Sequence, residues 1–306
     1  MSIKKDYFSL TSNIKIYYEL RCSSPSSSSS NLSTKILMIM GACATLRHFD
    51  EFVEYLIEHY PSSIEILIYD HRGIGHSKTT TTTTTVTIER QTTNLLAHDA
   101  YQLINHVWGG QAPVHVLGVS LGGMVAQELA VLLIPEQRLL SLYLEVTTRG
   151  SYIRPLALLP RWVFSRIILP YFVIKSDNEQ MVRSLVSLVF NEIEEEEKEE
   201  LIKKWLNDYD KWFIFQDFDG MSQHNVSVCS HYLTDEHAQQ IKDAQVPVTV
   251  HIAMQDKLIP PKKQQELANL LNAKTVVMEH SGHMFTKQQG LRVFEGVLQH
   301  IQDATA

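Results

Sequence analysis

The chain has 306 residues, 44% of them hydrophobic and 20% charged, which suits one large buried core and sets it apart from disordered and membrane compositions. A formal net charge of -7 leaves no basic surface for a phosphate backbone, which argues against nucleic acid as a partner. The opening MSIKKDYFSLTSN lacks an apolar run of signal-peptide length, so a cytoplasmic location is expected, and Cys22, Cys43 and Cys229 are scattered as reduced thiols without metal-ligand spacing.

In chain order, Tyr7 to Arg21 reads as a hairpin, followed by the solvated serine-rich stretch Ser23 to Ser30. KILMIMG (Lys35 to Gly41) is a buried strand and Leu46 to Tyr60 a helix; IEILIYD (Ile64 to Asp70) is a second buried strand. The threonine run Thr79 to Thr85 is a loop, and a helix covers Thr87 to Val107. PVHVLGV (Pro113 to Val119), a helix from Leu121 to about Leu133, and SLYLEV (Ser141 to Val146) complete this half. Apolar strands alternating with helices predict a parallel sheet buried on both faces, the α/β class.

From 149 to 244 the pattern turns helical, with proline breaks, an acidic run at Glu192 to Glu200, and Leu201, Trp205, Tyr209 and Trp212 at helical spacing. Strand rhythm returns with PVTVHIAM (Pro247 to Met254), a helix from Pro260 to Leu271, KTVVME (Lys274 to Glu279) and a helix from Phe285 to Ile301. The simplest organisation is a core of residues 1–148 and 245–306 with a helical cap, residues 149–244, inserted between two parts of one sheet. The most apolar stretch, Leu156 to Ile174, contains Pro160, Pro170, Arg161 and Arg166, which speaks against a membrane span and leaves surface contact with lipid open.

The chemistry centres on Gly118-Val119-Ser120-Leu121-Gly122-Gly123, where a buried strand gives way to a helix. A serine on that turn projects its hydroxyl above the sheet, and glycines leave room for the crowded backbone. Serine needs a histidine to take its proton and a carboxylate to fix the histidine tautomer. Of fourteen histidines, His283 is selected by its place after the last strand, with His280 assigned to the strand end. Asp256 follows the strand ending at Met254; Glu145, near the end of SLYLEV, is the rival acid. Two backbone N–H groups must receive the oxyanion, expected from Leu121 and, in the loop Met40-Gly41-Ala42-Cys43, from Ala42. Cys43 reads as a small loop residue. Gln223, His224 and His231 form a polar group that either reaches the pocket or lies on the surface.

The segments IMGACATLRHFDEFVEYL, YDHRGIGHSK, GVSLGGMVAQELA, MQDKLIPP and HSGHMF, in this order, resemble landmarks of the α/β-hydrolase superfamily, and GVSLGGMVAQ is similar to its enol-lactonase, esterase and haloperoxidase-like branch. The resemblance implies an eight-stranded, mostly parallel sheet, a helical cap after strand six and hydrolysis of a small-molecule substrate without cofactor or metal. Met40 departs from the histidine many members carry before the glycine, and Asp70, Arg72, Gly73 and Gly75 match a structural turn expected to be braced by an Arg–Asp pair. The expected activity is cleavage of an ester, lactone or related carbonyl compound with an apolar moiety through an acyl-serine. Alternatives are a non-catalytic small-molecule receptor on the same fold and a peripheral membrane lipase.

Overall fold

The computed structural model describes residues 1–11, 13–23, 33–77, 90–151, 178–191, 193–208 and 218–305. Thr79 to Thr85, Leu156 to Ile174, Glu192, Tyr209 and Trp212 lie outside the described residues.

The hairpin forms from β1 (Ser2–Ser9) and β2 (Lys15–Cys22). β3 (Thr34–Ile39) leads through a 3-10 turn (Leu46–Phe49) into α1 (Asp50–His59), β4 (Ile64–Tyr69) and α2 (Thr93–Trp108). β5 (Val114–Val119), α3 (Leu121–Leu133) and β6 (Leu139–Glu145) follow. After β6 come α4 (Asn178–Val189), α5 (Glu195–Asn207), α6 (Phe218–Ser230) and α7 (Asp235–Asp243). The chain then completes the sheet with β7 (Val248–Ala253), α8 (Pro261–Leu271), β8 (Lys274–Met278) and α9 (Lys287–Thr305).

The eight strands lie in the order β1-β2-β4-β3-β5-β6-β7-β8, and every pairing from β4 to β8 is parallel. Strand alternation sends neighbouring side chains to opposite faces. Leu37 and Ile39 therefore join the cluster beneath α2 and α3, while Ile36 and Met38 join the one beneath α1 and α9. Burial on both faces explains why the strands read as continuous apolar runs.

The helices inserted after β6 divide by contact. Ala238 and Ile241 of α7 belong to the cluster that packs on the sheet. Met181, Val182 and Val189 of α4 form a separate cluster with Ile202 and Trp205 of α5, against which Leu258 and Met284 pack. Glu194, Glu195, Glu196 and Glu200 of the acidic run are exposed. Among the described residues no helix is long and apolar enough to cross a membrane.

Candidate active site

Parallel strands end on one edge of a sheet, so loops that follow β3, β5, β7 and β8 meet there. Ser120 sits between β5 and α3 with φ 54° and ψ -117°, a region that a residue with a side chain occupies only when its surroundings hold it. Ser120 N–H donates to the Glu145 carbonyl (2.9 Å) and Thr147 Oγ1 donates to the Ser120 carbonyl (2.7 Å). The flanking glycines are required sterically: a Cβ on Gly118 would collide with the Gly122 carbonyl, one on Gly122 with the Ile39 carbonyl, and one on Gly123 would stand 2.6 Å from the Thr147 side chain. Ser120 Oγ faces the loop after β3, 3.8 Å from where a Cβ of Gly41 would be.

His283 Nδ1 is 2.7 Å from Asp256 Oδ2. The other oxygen of Asp256 accepts the Leu258 and Ile259 N–H groups at 2.8 and 2.9 Å. Gln264 Nε2 donates both to Asp256 Oδ2 (3.0 Å) and to the Ile259 carbonyl (2.7 Å), while its Oε1 accepts the Ala253 N–H (3.0 Å). Asp256 is buried and its carboxylate is held from four sides. Gln264 is a residue bonded to Asp256 that the sequence did not single out; a glutamine eight positions after Asp256, on the helix that follows, is the only local signal.

Val189, at the end of α4, fixes the histidine loop. Its carbonyl accepts the Met284 N–H (2.8 Å) and lies where a Cβ on Gly282 would collide. His280, expected at the strand end, instead lies on an exposed turn, because β8 stops at Met278. Among the described residues no hydrogen bond joins Ser120 Oγ to His283; such contacts commonly tighten only when substrate is bound.

Glu145 occupies the end of β6, fully enclosed, and burial pushes its carboxyl up to about 8. A group with that value is protonated at neutral pH. In this structure His283 pairs with Asp256 and not with Glu145.

The loop Met40-Gly41-Ala42-Cys43 is bonded at both ends. His71 Nε2 lies 2.9 Å from the Met40 carbonyl, and the Cys43 N–H donates to His224 Nδ1 at 3.0 Å. Among the described residues the N–H groups of Ala42 and Leu121 have no intramolecular acceptor. Burial drives the Cys43 thiol up to about 12, which keeps it neutral. The other two polar residues of the inserted segment are also engaged: buried His231 has Nδ1 2.9 Å from Thr93 Oγ1, and half-buried Gln223 accepts the Gln91 N–H on Oε1 (3.0 Å).

In the turn after β4, Asp70 accepts the Leu46 and His76 N–H groups at 2.8 and 2.9 Å. Arg72 pairs with Asp99 of α2 at 2.5–2.6 Å, so its carboxylate partner comes from another element and not from its own turn. Among the described residues no cluster of three or more His, Cys, Asp or Glu side chains is arranged to hold a metal ion.

Burial also sets how the fold meets acid. His71, His115, His251 and His300 are held down to about 4 and His231 to about 3, in each case mainly by desolvation of the charged form. Unfolded histidines bind protons near 6.5. Between 6.5 and 4 the unfolded chain therefore takes up protons that the folded chain refuses, and stability falls as pH falls. Glu145 acts oppositely, since its raised value removes stability as pH climbs from its ordinary range to 8, and burial raises Glu128 in the same direction, but burial also holds down His224, so the histidines outnumber the acids. Each histidine is worth about 3 kcal/mol by pH 4, so that together they are comparable to an ordinary folding stability of about 5–15 kcal/mol. Urea midpoints followed by circular dichroism should drop steeply below pH 6.5, with cooperative unfolding before pH 4; a flat midpoint across that window would contradict the burial of these rings.

A sequence profile described as "Alpha/beta hydrolase family" matches residues 38–295. Among solved structures, the enol-lactonase from Burkholderia xenovorans LB400 superposes with a TM-score of 0.72 at 17% identity, over 97% of this chain and 100% of that one. A thermophilic esterase from Thermogutta terrifontis gives 0.68 at 17% identity over 99% and 100%. A hydrolase from Pseudomonas aeruginosa PA01 gives 0.71 at 18% identity over 97% and 98%. No curated protein matches the sequence. The likeness to the solved structures carries the fold alone; the profile spans the chain from β3 to α9, and by that match the protein belongs to the alpha/beta hydrolase family.

Proposed function

We propose that the protein is a serine hydrolase that cleaves an ester, lactone or related carbonyl compound with an apolar moiety through an acyl-serine intermediate. The observation that carries this reading is the 2.7 Å contact between His283 Nδ1 and Asp256 Oδ2, on the sheet edge where Ser120 stands in a strained turn. The names of the enol-lactonase and esterase among the similar structures agree with it.

In the proposed cycle, His283 Nε2 takes the Ser120 hydroxyl proton as Oγ attacks the carbonyl carbon. The negative charge that develops on the carbonyl oxygen is received by the N–H groups of Ala42 and Leu121, and Asp256 stabilises the imidazolium. His283 then gives the proton to the departing alcohol, and water enters by the same route in reverse to release the acid. Two protein groups keep the Asp256 side of this machinery still, the backbone at Leu258 and Ile259 and the amide of Gln264.

The inserted segment, residues 149–244, is read as a cap over this edge. Support comes from the α4–α5 cluster, which packs on Leu258 and Met284, neighbours of the proposed acid and base. The stretch Leu156 to Ile174, outside the described residues, is rich in Leu, Val, Phe and Ile, a composition suited to an acyl pocket. A wall of this kind removes methylenes from water at about 0.8 kcal/mol each. Extending a p-nitrophenyl ester from acetyl to butyryl should therefore raise kcat/KM about tenfold, and the gain should stop once longer chains must displace packed side chains. A continued rise to long chains with activation by a lipid interface would replace this reading with a lipase. Single-turnover labelling without sustained release would replace it with a receptor.

A further inference from the structure

The loop that is to supply the second oxyanion donor contains three consecutive peptide groups, Met40–Gly41, Gly41–Ala42 and Ala42–Cys43. The two outer ones are each tied to a histidine. His71 Nε2 meets the Met40 carbonyl (2.9 Å), and His224 Nδ1 accepts the Cys43 N–H (3.0 Å). The middle peptide, which carries the Ala42 N–H, has its donor left open among the described residues and is tied to neither histidine. Cys43 has φ 59°, a left-handed backbone that a residue with a side chain holds only under constraint, and its hydrogen bond to His224 supplies one.

The histidines also orient each other. Their rings meet edge to face at 5.3 Å between centroids and 83° between planes, and both are buried. Protonation roles follow from the bonds. His224 must leave Nδ1 bare to accept an N–H, so a neutral ring carries its proton on Nε2, whereas His71 must carry a proton on Nε2 to donate to a carbonyl. Desolvation holds both rings in the neutral form.

His224 does not belong to the sheet. It rides on α6, within the segment inserted after β6, and that helix is seated on the loops around the site. A Cβ on Gly220 would collide with the Gly73 carbonyl, so helix and turn touch backbone to backbone. Gln223, the next residue before His224, accepts the Gln91 N–H at 3.0 Å. The turn that holds α6 in place is the one that carries His71.

We infer that His224 is a positioning residue for the oxyanion loop: with His71 it fixes the peptides on either side of the Gly41–Ala42 peptide, and so aims the Ala42 N–H at the site in front of Ser120. The inserted segment thus completes the catalytic centre and is more than a wall of the pocket. This inference rests on the serine-hydrolase reading above.

The test compares His224→Phe, which keeps a ring and removes the acceptor, with His224→Asn, whose Oδ1 can reach the Cys43 N–H from nearly the same place as Nδ1. Each is assayed for p-nitrophenyl butyrate hydrolysis and for inhibition by an aryl trifluoromethyl ketone. Ser120 Oγ adds to the ketone carbonyl carbon, its proton passes to His283, and the carbonyl oxygen becomes an oxyanion in the hole. For His224→Phe, kcat should fall about 100-fold, with KM within about threefold, and the ketone inhibition constant should rise in parallel, as for loss of one oxyanion donor. His224→Asn should recover kcat to within about tenfold of wild type. Unchanged kcat in His224→Phe, a rise in KM alone, or an asparagine variant no better than phenylalanine overturns the inference.

Should His224→Phe fail to fold, ¹⁵N NMR of the wild-type protein decides the matter. The His224 ring should carry its proton on Nε2, and a proton on Nδ1 removes the acceptor on which the brace depends. Wild-type protein that neither hydrolyses esters nor reacts with a fluorophosphonate would defeat the serine-hydrolase reading itself, a result distinct from an active enzyme indifferent to His224.

Discussion

Replacing Ser120 by alanine should lower kcat for ester hydrolysis by about 10⁶, the loss expected when a triad nucleophile is removed, and should abolish labelling by a fluorophosphonate probe. The substitution deletes one atom. It keeps the Cβ, so it adds no strain at φ 54°, and it leaves the backbone bonds to Glu145 and Thr147 intact. Thermal unfolding should stay within about 2 °C of wild type, which separates loss of chemistry from loss of fold. Because Ala42 and Leu121 remain, a residual acceleration over water of about 10³–10⁴ should survive. Near-wild-type hydrolysis by the variant would mean that Ser120 is not the nucleophile.

Asp256→Asn should cost about 10⁴ in kcat, and the geometry says why. The Asp256 oxygen that faces Leu258 and Ile259 accepts two backbone N–H groups, so an asparagine would turn its carbonyl oxygen there. Its NH₂ would then face Gln264 Nε2 and His283 Nδ1. To accept from that NH₂, His283 must leave Nδ1 bare and place its proton on Nε2, the nitrogen that has to take the proton from Ser120. The variant holds the ring in place and offers it in the wrong tautomer. Glu145→Gln should change kcat by less than about tenfold, because a carboxyl pushed up to about 8 is already neutral at pH 7 and the amide matches its shape. Stopped-flow or steady-state measurement of kcat for both variants decides between them; if Glu145→Gln is the crippled one, the acid has been assigned to the wrong strand.

The parallel strands and their helices were legible because each is a local pattern: the six residues Ile64–Tyr69, apolar but for Glu65, report burial on both faces whatever packs against them. Ser120 was legible for the same reason, since Gly118, Gly122 and Gly123 are demanded by crowding within the strand-turn-helix unit and nearby strand ends. Asp256 and His283 could be placed at strand ends from their order in the chain. Their 2.7 Å contact, by contrast, is made by the pairing of β7 with β8 and by α4, whose Val189 holds the histidine loop. Arg72 found its partner on α2, and His280 fell beyond the end of β8, where one residue more or less of strand is decided by pairing and not by propensity.

His224 marks the limit most clearly. Its neighbours Gln223 and Asn225 are polar, so nothing in the local pattern separates a solvated helix face from a buried one, and surface placement was an equal reading. The hydrogen bond from Cys43 spans 181 positions of sequence. The sequence by itself determined which residue types were available and which short segments they would form. Only the tertiary structure decided that a histidine from the inserted helices would be drawn against the loop after β3, because a buried N–H has to find an acceptor among whatever the packing brings to it.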